Sequence, residues 1–302
     1  MNASSDYRFP RVPQFGPFDT PDCLRTFGID CSVGRLTAVG THNLDAAERV
    51  AVFIPGFTGS KEDFIPFFPQ LWKELGIREG ARRTTAIMAY SQRGQADSAA
   101  PDRRDAYALS DFVADGCEVL ERLGARERPV DLVGHSFGGV VARRIAVRRP
   151  DLLRSLTVFD SGARPVNSTP LFEVAPMLLR LFGSMLLYYA YRPIRDEPQP
   201  DRYAELFRQC MHATSKYHLA SVAGFMTKYA DVTGKLRTLR RRGLPINIMY
   251  GEDDDVWPNS VYEHEAAMLG VEPVVFADAA HIPTIDQPER FAAALADFWH
   301  RS

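Results

Sequence analysis

The sequence contains few cysteines, and none of them follows a spacing that would build a framework. The four cysteines among the 302 residues are Cys23, Cys31, Cys117 and Cys210, and no two of them form a CxxC pair. Disulfide scaffolds are dense in cysteine, and structural zinc sites need closely spaced ligands. The sequence therefore predicts neither kind of stabilisation, and we expect free thiols in the interior.

Signatures of metal and nucleotide binding are also missing. The segment His264–Met268 begins like the zinc motif HExxH, but Met268 stands where the second histidine is required. The sequence has no GxGxxG loop and no Walker A loop. We therefore expect no metal and no cofactor.

Neither sign of charge is in excess, and no long apolar run is present. Lys and Arg number 36 against 38 Asp and Glu, and the resulting net charge of -2 gives no general attraction to nucleic acid. The most apolar stretch, Leu171–Tyr191, contains Glu173, Pro176 and Arg180, which makes it too polar for a stable membrane span. Residues 1–22 lack the apolar region of a secretory signal. These features predict a cytoplasmic protein without nucleic-acid partners, and they leave the oligomeric state open.

What the sequence does contain is a regular alternation of apolar strands with helical patterns, in a chain of ordinary globular composition. Uninterrupted apolar strands of this kind predict a parallel sheet that helices cover on both faces, with functional residues at the carboxyl ends of the strands. The predicted strands are Cys23–Asp30, Leu36–Thr41, Val50–Ile54, Thr85–Tyr90, Val130–Val133, Leu156–Phe159, Ile246–Tyr250 and Pro273–Phe276.

The alternation of strands and helices is interrupted once. Helices are predicted over Lys61–Leu75 and Asp102–Leu123, and near the C-terminus over Asn259–Leu269 and Pro288–His300. Between about residues 163 and 235 the chain is rich in helical pattern and proline, and it carries no strand pattern. We interpret residues 163–235 as a helical cap inserted after the sixth strand, and residues 1–162 and 236–302 as the two parts of one α/β core.

One segment carries the pattern of an activated serine. Ser136 lies between an apolar strand and a helical pattern, with Gly134 two residues before it and Gly138 two residues after it. Glycines are needed at such a turn because backbone segments approach too closely for a Cβ atom, and the central residue adopts strained dihedral angles. The helix N-terminus offers unpaired N–H groups where negative charge develops on an oxygen.

A serine nucleophile also needs a general base and a carboxylate that orients the base. Both residue types follow late strands. Asp253, Asp254 and Asp255 follow the strand Ile246–Tyr250, and His281 follows the last strand. The residues themselves leave open which of the three adjacent aspartates acts.

In the order and spacing of these motifs the sequence resembles the α/β-hydrolase superfamily, in the branch with a helical cap. The resemblance covers nearly the whole chain and is weakest in the cap. It implies a mostly parallel, doubly wound sheet of about eight strands, and a triad of Ser136, His281 and Asp254. The family pattern of Gly, two residues, Asp, three residues and Pro fits Gly251–Pro258 with Asp254 as the acid. Some members carry the acid after the sixth strand, which makes Asp160 a reserve candidate.

The same resemblance implies an oxyanion hole. In the family it combines the backbone N–H that follows the nucleophile, here Phe137, with one from the loop after an early strand. The segment Ile54–Gly59 matches that loop, although Pro55 replaces a frequent histidine. Phe57 is the implied second donor, through its backbone N–H alone. The nearby segment Tyr90–Ser98 resembles a loop of the family that is mainly structural.

The cap contains a segment that is apolar on most of its circumference, over residues 174–189. Apolar residues all around a helix indicate burial on two sides. Packing against the core explains this pattern, and so does a role as the roof of an acyl or aromatic pocket. The candidates for the roof are spaced at about one helical turn and are Met177, Leu181, Met185 and Tyr188.

These features predict a cofactor-independent serine hydrolase acting on an ester, a thioester or an amide of a small to medium lipophilic acid. A serine nucleophile argues against the dehalogenases and epoxide hydrolases of the family, which use aspartate. The alternatives on the same triad are C–C bond hydrolysis, perhydrolysis of the haloperoxidase type and proline iminopeptidase activity. A ligand receptor with slow turnover is an alternative from another class.

Overall fold

The computed structural model describes residues 8–80, 84–167, 170–183 and 201–302. Within these ranges one sheet has the strand order β1-β2-β4-β3-β5-β6-β7-β8. The pairs β1–β2 and β2–β4 are antiparallel, and the remaining pairs are parallel. The predicted fold class, a mostly parallel sheet of eight strands, is confirmed. The strands are β1 Leu24–Cys31, β2 Gly34–Thr41, β3 Arg49–Ile54, β4 Thr85–Tyr90, β5 Val130–His135, β6 Leu153–Phe159, β7 Ile246–Gly251 and β8 Val274–Phe276.

Helices pack on both faces of the sheet. Along β3, Val50, Val52 and Ile54 point into one apolar cluster, whereas Ala51 and Phe53 point into the other. All five side chains are buried, as expected for a strand that is covered on both sides. The helices over the described ranges are α1 Phe68–Glu79, α2 Leu109–Arg122, α3 Phe137–Arg148, α4 Pro170–Phe182, α5 Asp201–Ala213, α6 Lys216–Met226, α7 Thr233–Arg241, α8 Asn259–Leu269, α9 Pro283–Asp286 and α10 Pro288–Arg301.

Two helices are shorter than predicted. The predicted helix Lys61–Leu75 is wrong in its first half, where a 3₁₀ turn over Lys61–Phe64 precedes α1. Pro66 and Pro69 cannot donate the hydrogen bonds that would join the two into one helix. The predicted helix Asp102–Leu123 begins only at Leu109. Here the Asp111 carboxylate accepts the N–H of Ala108 at 2.9 Å and fixes the helix start.

The segment between β6 and β7 contributes α4, α5, α6 and α7. Helix α4 packs on α6, whereas α7, which crosses the predicted end of the cap at residue 235, packs against α3 and α8 of the core. The limits of the cap stay a prediction. None of the helices described is both long and apolar enough to cross a membrane.

Candidate active site

Ser136 lies at the turn between β5 and α3 in a backbone conformation that side chains rarely adopt, with φ at 50° and ψ at -120°. The two flanking glycines allow this turn. A Cβ atom at Gly134 would lie 2.6 Å from the carbonyl oxygen of Gly138, and one at Gly138 would lie 2.6 Å from the carbonyl oxygen of Pro55. The turn therefore needs glycine at both positions, as the sequence predicts.

Three strand ends bring Ser136, His281 and Asp254 together. Ser136 follows β5, Asp254 follows β7 and His281 follows β8. His281 Nε2 lies 3.0 Å from Ser136 Oγ, and His281 Nδ1 lies 2.9 Å from Asp254 Oδ1. Both distances are hydrogen-bond distances, and this arrangement can move a proton from the serine hydroxyl to the imidazole.

The Asp254 carboxylate is buried and fully hydrogen-bonded. Its Oδ1 also accepts the backbone N–H of Val256 at 2.8 Å, and its Oδ2 accepts the hydroxyl of Tyr262. Burial by itself raises the pKa of the Asp254 carboxyl, but the hydrogen bonds it accepts outweigh burial and leave the pKa below its usual value. The neighbouring Asp253 and Asp255 are exposed to solvent. Asp254 is thus the aspartate of this turn that reaches His281.

Asp160, at the end of β6, is buried beside the same group. Its Oδ1 accepts the backbone N–H of Gly251 at 2.8 Å, and within the described ranges its Oδ2 has no partner. Burial, and to a lesser extent the charge of Asp254, raise the pKa of the Asp160 carboxyl well above its usual value. Asp254 makes the hydrogen bond to His281 Nδ1, whereas Asp160 makes its hydrogen bond to a backbone N–H, so the geometry favours Asp254 over Asp160 as the acid.

His135, which precedes the serine, holds the main chain of the histidine loop. Its Nε2 lies 2.9 Å from the carbonyl oxygen of His281, and its ring stacks on Phe159 at 4.7 Å between centroids. Burial lowers the pKa of His135 to about 3, so the ring is neutral, and Nε2 carries its proton because a carbonyl can only accept. The sequence reasoning missed this residue, although its place next to the serine was a usable signal.

The two oxyanion donors implied by the resemblance, the backbone N–H groups of Phe57 and Phe137, belong to the loop after β3 and to the start of α3. A Cβ atom at Gly56 would lie 3.2 Å from the Cβ of Ser136, so the loop after β3 passes directly beside the serine. Within the described ranges, the N–H groups of Phe57 and Phe137 make no hydrogen bond to the protein. Phe137 is the first residue of α3, where helix N–H groups have no partner inside the helix. The two donors inferred from the resemblance are therefore free to bind an oxygen.

The loop after β4 is held from both sides. The guanidinium of Arg93 binds both carboxylate oxygens of Asp115 at 2.6 Å and the carbonyl oxygen of Ala106 at 2.6 Å. Ala96 has a φ of 45°, a conformation that favours glycine. From the segment between β6 and β7, the ring of His218 on α6 reaches the carbonyl oxygens of Arg93, at 2.9 Å from Nδ1, and of Phe57, at 3.0 Å from Nε2.

Two of the four predicted pocket residues lie within the described ranges, and both are largely exposed. Met177 is 53% exposed and Leu181 is 68% exposed on α4. Met185 and Tyr188 lie outside the described residues. Their role as a roof stays a prediction. Among the described helices between β6 and β7, α6 contacts the loops around Ser136 through His218, and α5 contacts the loop after β3 through Cys210, whose Sγ lies 3.4 Å from Ser60 Oγ.

Comparison with known proteins agrees with this fold. A sequence model of the alpha/beta hydrolase family matches residues 51–294. The pimeloyl-acyl-carrier-protein methyl ester esterase of Neisseria meningitidis serogroup C is 25% identical over 265 residues, which cover 84% of this chain and 94% of the esterase.

Two solved structures are similar in fold. The enol-lactonase from Burkholderia xenovorans LB400 superposes with a TM-score of 0.75 at 19% identity, over 90% of this chain and 99% of the lactonase. The thermophilic esterase from Thermogutta terrifontis gives a TM-score of 0.69 at 21% identity, over 92% and 98% of the two chains.

Proposed function

The chain belongs to the α/β-hydrolase family, and from that premise we propose that it is a cofactor-independent serine hydrolase that cleaves a carboxylic ester of a small to medium lipophilic substrate. The observation that carries the proposal is the continuous chain of hydrogen bonds from Ser136 through His281 to Asp254. Its relatives include esterases, which supports an ester as the bond that is cleaved.

In the proposed reaction, Ser136 Oγ attacks the ester carbonyl carbon while His281 Nε2 takes the hydroxyl proton. Asp254 holds Nδ1 protonated and stabilises the imidazolium that forms. The imidazolium then gives its proton to the departing alcohol, and the acyl group remains on Ser136. A water molecule, activated by His281 in the same way, releases the acid and restores the serine.

The negative charge on the substrate oxygen in the tetrahedral intermediate is stabilised by the N–H groups of Phe57 and Phe137. Such donors act when they are oriented before the reaction, because no reorganisation is then needed as the charge develops. The N-terminus of α3 adds a positive end to the same place.

The experiment that tests the proposal combines turnover with covalent labelling. A series of p-nitrophenyl esters of increasing acyl length is offered to the wild type, to Ser136→Ala, and to a control variant Ser260→Ala, whose serine is exposed on α8. A fluorophosphonate probe is run in parallel. We expect labelling and turnover in the wild type and the control, and neither in Ser136→Ala.

The outcomes separate the rival functions. Absence of labelling in the wild type would refute the serine mechanism. Labelling without ester turnover would refute ester hydrolysis and favour a receptor, or C–C, peroxide or N-terminal proline chemistry on the same residues. The acyl length with the highest kcat/KM would report the size of the acyl pocket.

A further inference from the structure

Three successive carbonyl groups beside Ser136 are each held by a buried side chain. They belong to Pro55, Gly56 and Phe57, in the loop that carries one proposed oxyanion donor. The side chains come from the loop after β4 and from α6. Gln92 Nε2 donates to the Pro55 carbonyl at 3.1 Å, Gln95 Nε2 donates to the Gly56 carbonyl at 2.7 Å, and His218 Nε2 lies 3.0 Å from the Phe57 carbonyl oxygen.

Of these three bonds, the one from Gln95 acts on the peptide that matters for the reaction. The carbonyl group of Gly56 and the N–H group of Phe57 belong to one planar trans peptide, in which they point in opposite directions. A donor that fixes the direction of the Gly56 carbonyl therefore also fixes the direction of the Phe57 N–H. The other two bonds fix the peptides that carry the N–H groups of Gly56 and Thr58.

Gln95 is itself held in one orientation. Its side chain is fully buried, and its Oε1 accepts the backbone N–H of Gln92 at 2.8 Å while its Nε2 donates to Gly56. Rotating the amide by half a turn would place an oxygen against the carbonyl of Gly56 and an NH₂ group against the N–H of Gln92. Both contacts would then be unfavourable, so the hydrogen bonds select one amide orientation.

We propose that Gln95 is the positioning residue of the oxyanion hole, because it aims the Phe57 N–H at the reacting oxygen. The inference rests on the proposed function, in which Phe57 is one of the two donors. A hydrogen bond to the carbonyl also polarises the peptide, which makes its N–H a stronger donor. The loop after β4 therefore does more than join two elements of the fold.

The test replaces Gln95 by methionine, which has similar length and no hydrogen-bond donor. We expect kcat on the best p-nitrophenyl ester to fall about tenfold or more, with KM nearly unchanged, because an oxyanion donor acts in the transition state rather than in the bound substrate. An aryl trifluoromethyl ketone adds a second readout. Ser136 adds to its carbonyl carbon, the proton passes to His281, and the ketone oxygen becomes an anion in the hole. Its inhibition constant should rise by the same factor as kcat/KM falls.

Gln92→Met is the matched control. Gln92 is also buried, and it makes the same kind of bond to the neighbouring carbonyl, but on the peptide whose N–H belongs to Gly56. Loss of this bond should lower the midpoint of thermal unfolding about as much as Gln95→Met does. It should leave kcat and the inhibition constant near the wild-type values.

Three outcomes would overturn the inference. Gln95→Met with wild-type kcat and inhibition constant is one, and equal losses in both variants is another. If Gln95→Met does not fold, Gln95→Leu, which is smaller and also has no hydrogen-bond donor, is measured in its place; wild-type kcat in that variant is the third. Failure of fluorophosphonate to label wild-type Ser136 would instead refute the proposed function, and the inference with it.

Discussion

The strand-end site and helix α4, between β6 and β7, differ in how their side chains are held. Ser136 and His281 follow strands of the sheet, and each is linked by hydrogen bonds to buried neighbours. Met177 and Leu181 on α4 are large apolar side chains that are more than half exposed. The position of a side chain at a strand end is fixed by the backbone of the sheet. The position of a side chain on α4 depends on what packs over that helix. Four predictions test this contrast.

The largest effect on stability is expected at a buried ion pair that joins α3, the helix after Ser136, to α8. Arg143 on α3 binds both carboxylate oxygens of Glu265 on α8, at 2.8 and 2.6 Å, and Ser161 Oγ at 2.8 Å. Arg143→Met leaves the Glu265 carboxylate buried without a partner, and we expect the free energy of unfolding in urea to fall by about 3–5 kcal/mol. The double variant with Glu265→Met should recover much of this loss.

The control for this change is an exposed pair. Arg103 and Asp105 form an ion pair in which both side chains are largely exposed. Arg103→Met should leave the unfolding midpoint close to that of the wild type, because exposed pairs contribute little. Equal losses of stability in Arg103→Met and Arg143→Met would contradict a stabilising role that is specific to the buried pair.

The second effect is a loss of stability in acid that comes from buried neutral histidines. Burial lowers the pKa of His135 to about 3 and that of His218 to about 4, from the ordinary value of 6.5. Below pH 6.5 the unfolded chain binds protons that these folded groups do not, so each histidine should lower the free energy of unfolding by about 2 kcal/mol between pH 6.5 and 5. Asp63, whose pKa burial raises to about 7, acts in the opposite direction.

A single variant isolates the contribution of one histidine to the pH dependence of stability. The free energy of unfolding in urea is measured at pH 7 and at pH 5. We expect its decrease between the two pH values to be smaller by about 2 kcal/mol in His218→Gln than in the wild type. The exposed His300, replaced by Gln, serves as the control and should not change the difference between the two pH values. An unchanged difference in His218→Gln would mean that this ring is charged in the folded protein.

The third effect concerns the hydroxyl of Tyr262, which donates to Asp254 Oδ2. Tyr262→Phe removes one of the three hydrogen bonds that fix the Asp254 carboxylate, and we expect kcat/KM to fall about tenfold because a less well oriented carboxylate orients the His281 ring less well. Tyr250, whose ring stacks on Tyr262 at 4.7 Å, provides the control as Tyr250→Phe. Wild-type kcat/KM in Tyr262→Phe would indicate that the hydroxyl does not orient the Asp254 carboxylate.

The smallest effect is expected on α4. Met177→Ser and Leu181→Ser remove apolar side chains that are already largely in water, so each should change the free energy of unfolding by less than about 0.5 kcal/mol. If these residues form part of the acyl pocket, the two variants will shift the preferred acyl length of the ester series. A preference that stays unchanged in both variants would remove α4 from the pocket.

The parts of the molecule that the sequence predicts are those set by periodicity and by strand ends. Apolar runs indicate the eight strands, and the glycines around Ser136 indicate a turn that the dihedral angles of Ser136 bear out. The positions after β7 and β8 bring Asp254 and His281 within hydrogen-bond distance. Which residues catalyse the reaction stays a proposal until the variants are measured.

What the sequence does not show depends on how loops approach one another. Gln95 and His135 contact carbonyl groups that lie 39 and 146 positions away in the chain, and no local pattern predicts those contacts, although His135 is visible as the neighbour of the serine. Tyr262 contacts Asp254, only eight positions earlier, but across the turn that joins β7 to α8. The break between the 3₁₀ turn and α1 could have been predicted, since Pro66 and Pro69 are visible in the sequence. The exposure of Met177 and Leu181 on α4 could not have been predicted, because an apolar helix circumference does not indicate which neighbour covers the helix.

The left-handed backbone of Ser136 also bears on how this chain can change over generations. A serine held at a φ of 50° makes the fold less stable than a glycine there would, by roughly 1 kcal/mol or more. Folding alone therefore favours glycine at this position, and a lineage released from catalysis would gain stability from a single codon change. Selection for stability and selection for activity act in opposite directions at this residue, so an inactive descendant is expected to lose the serine early.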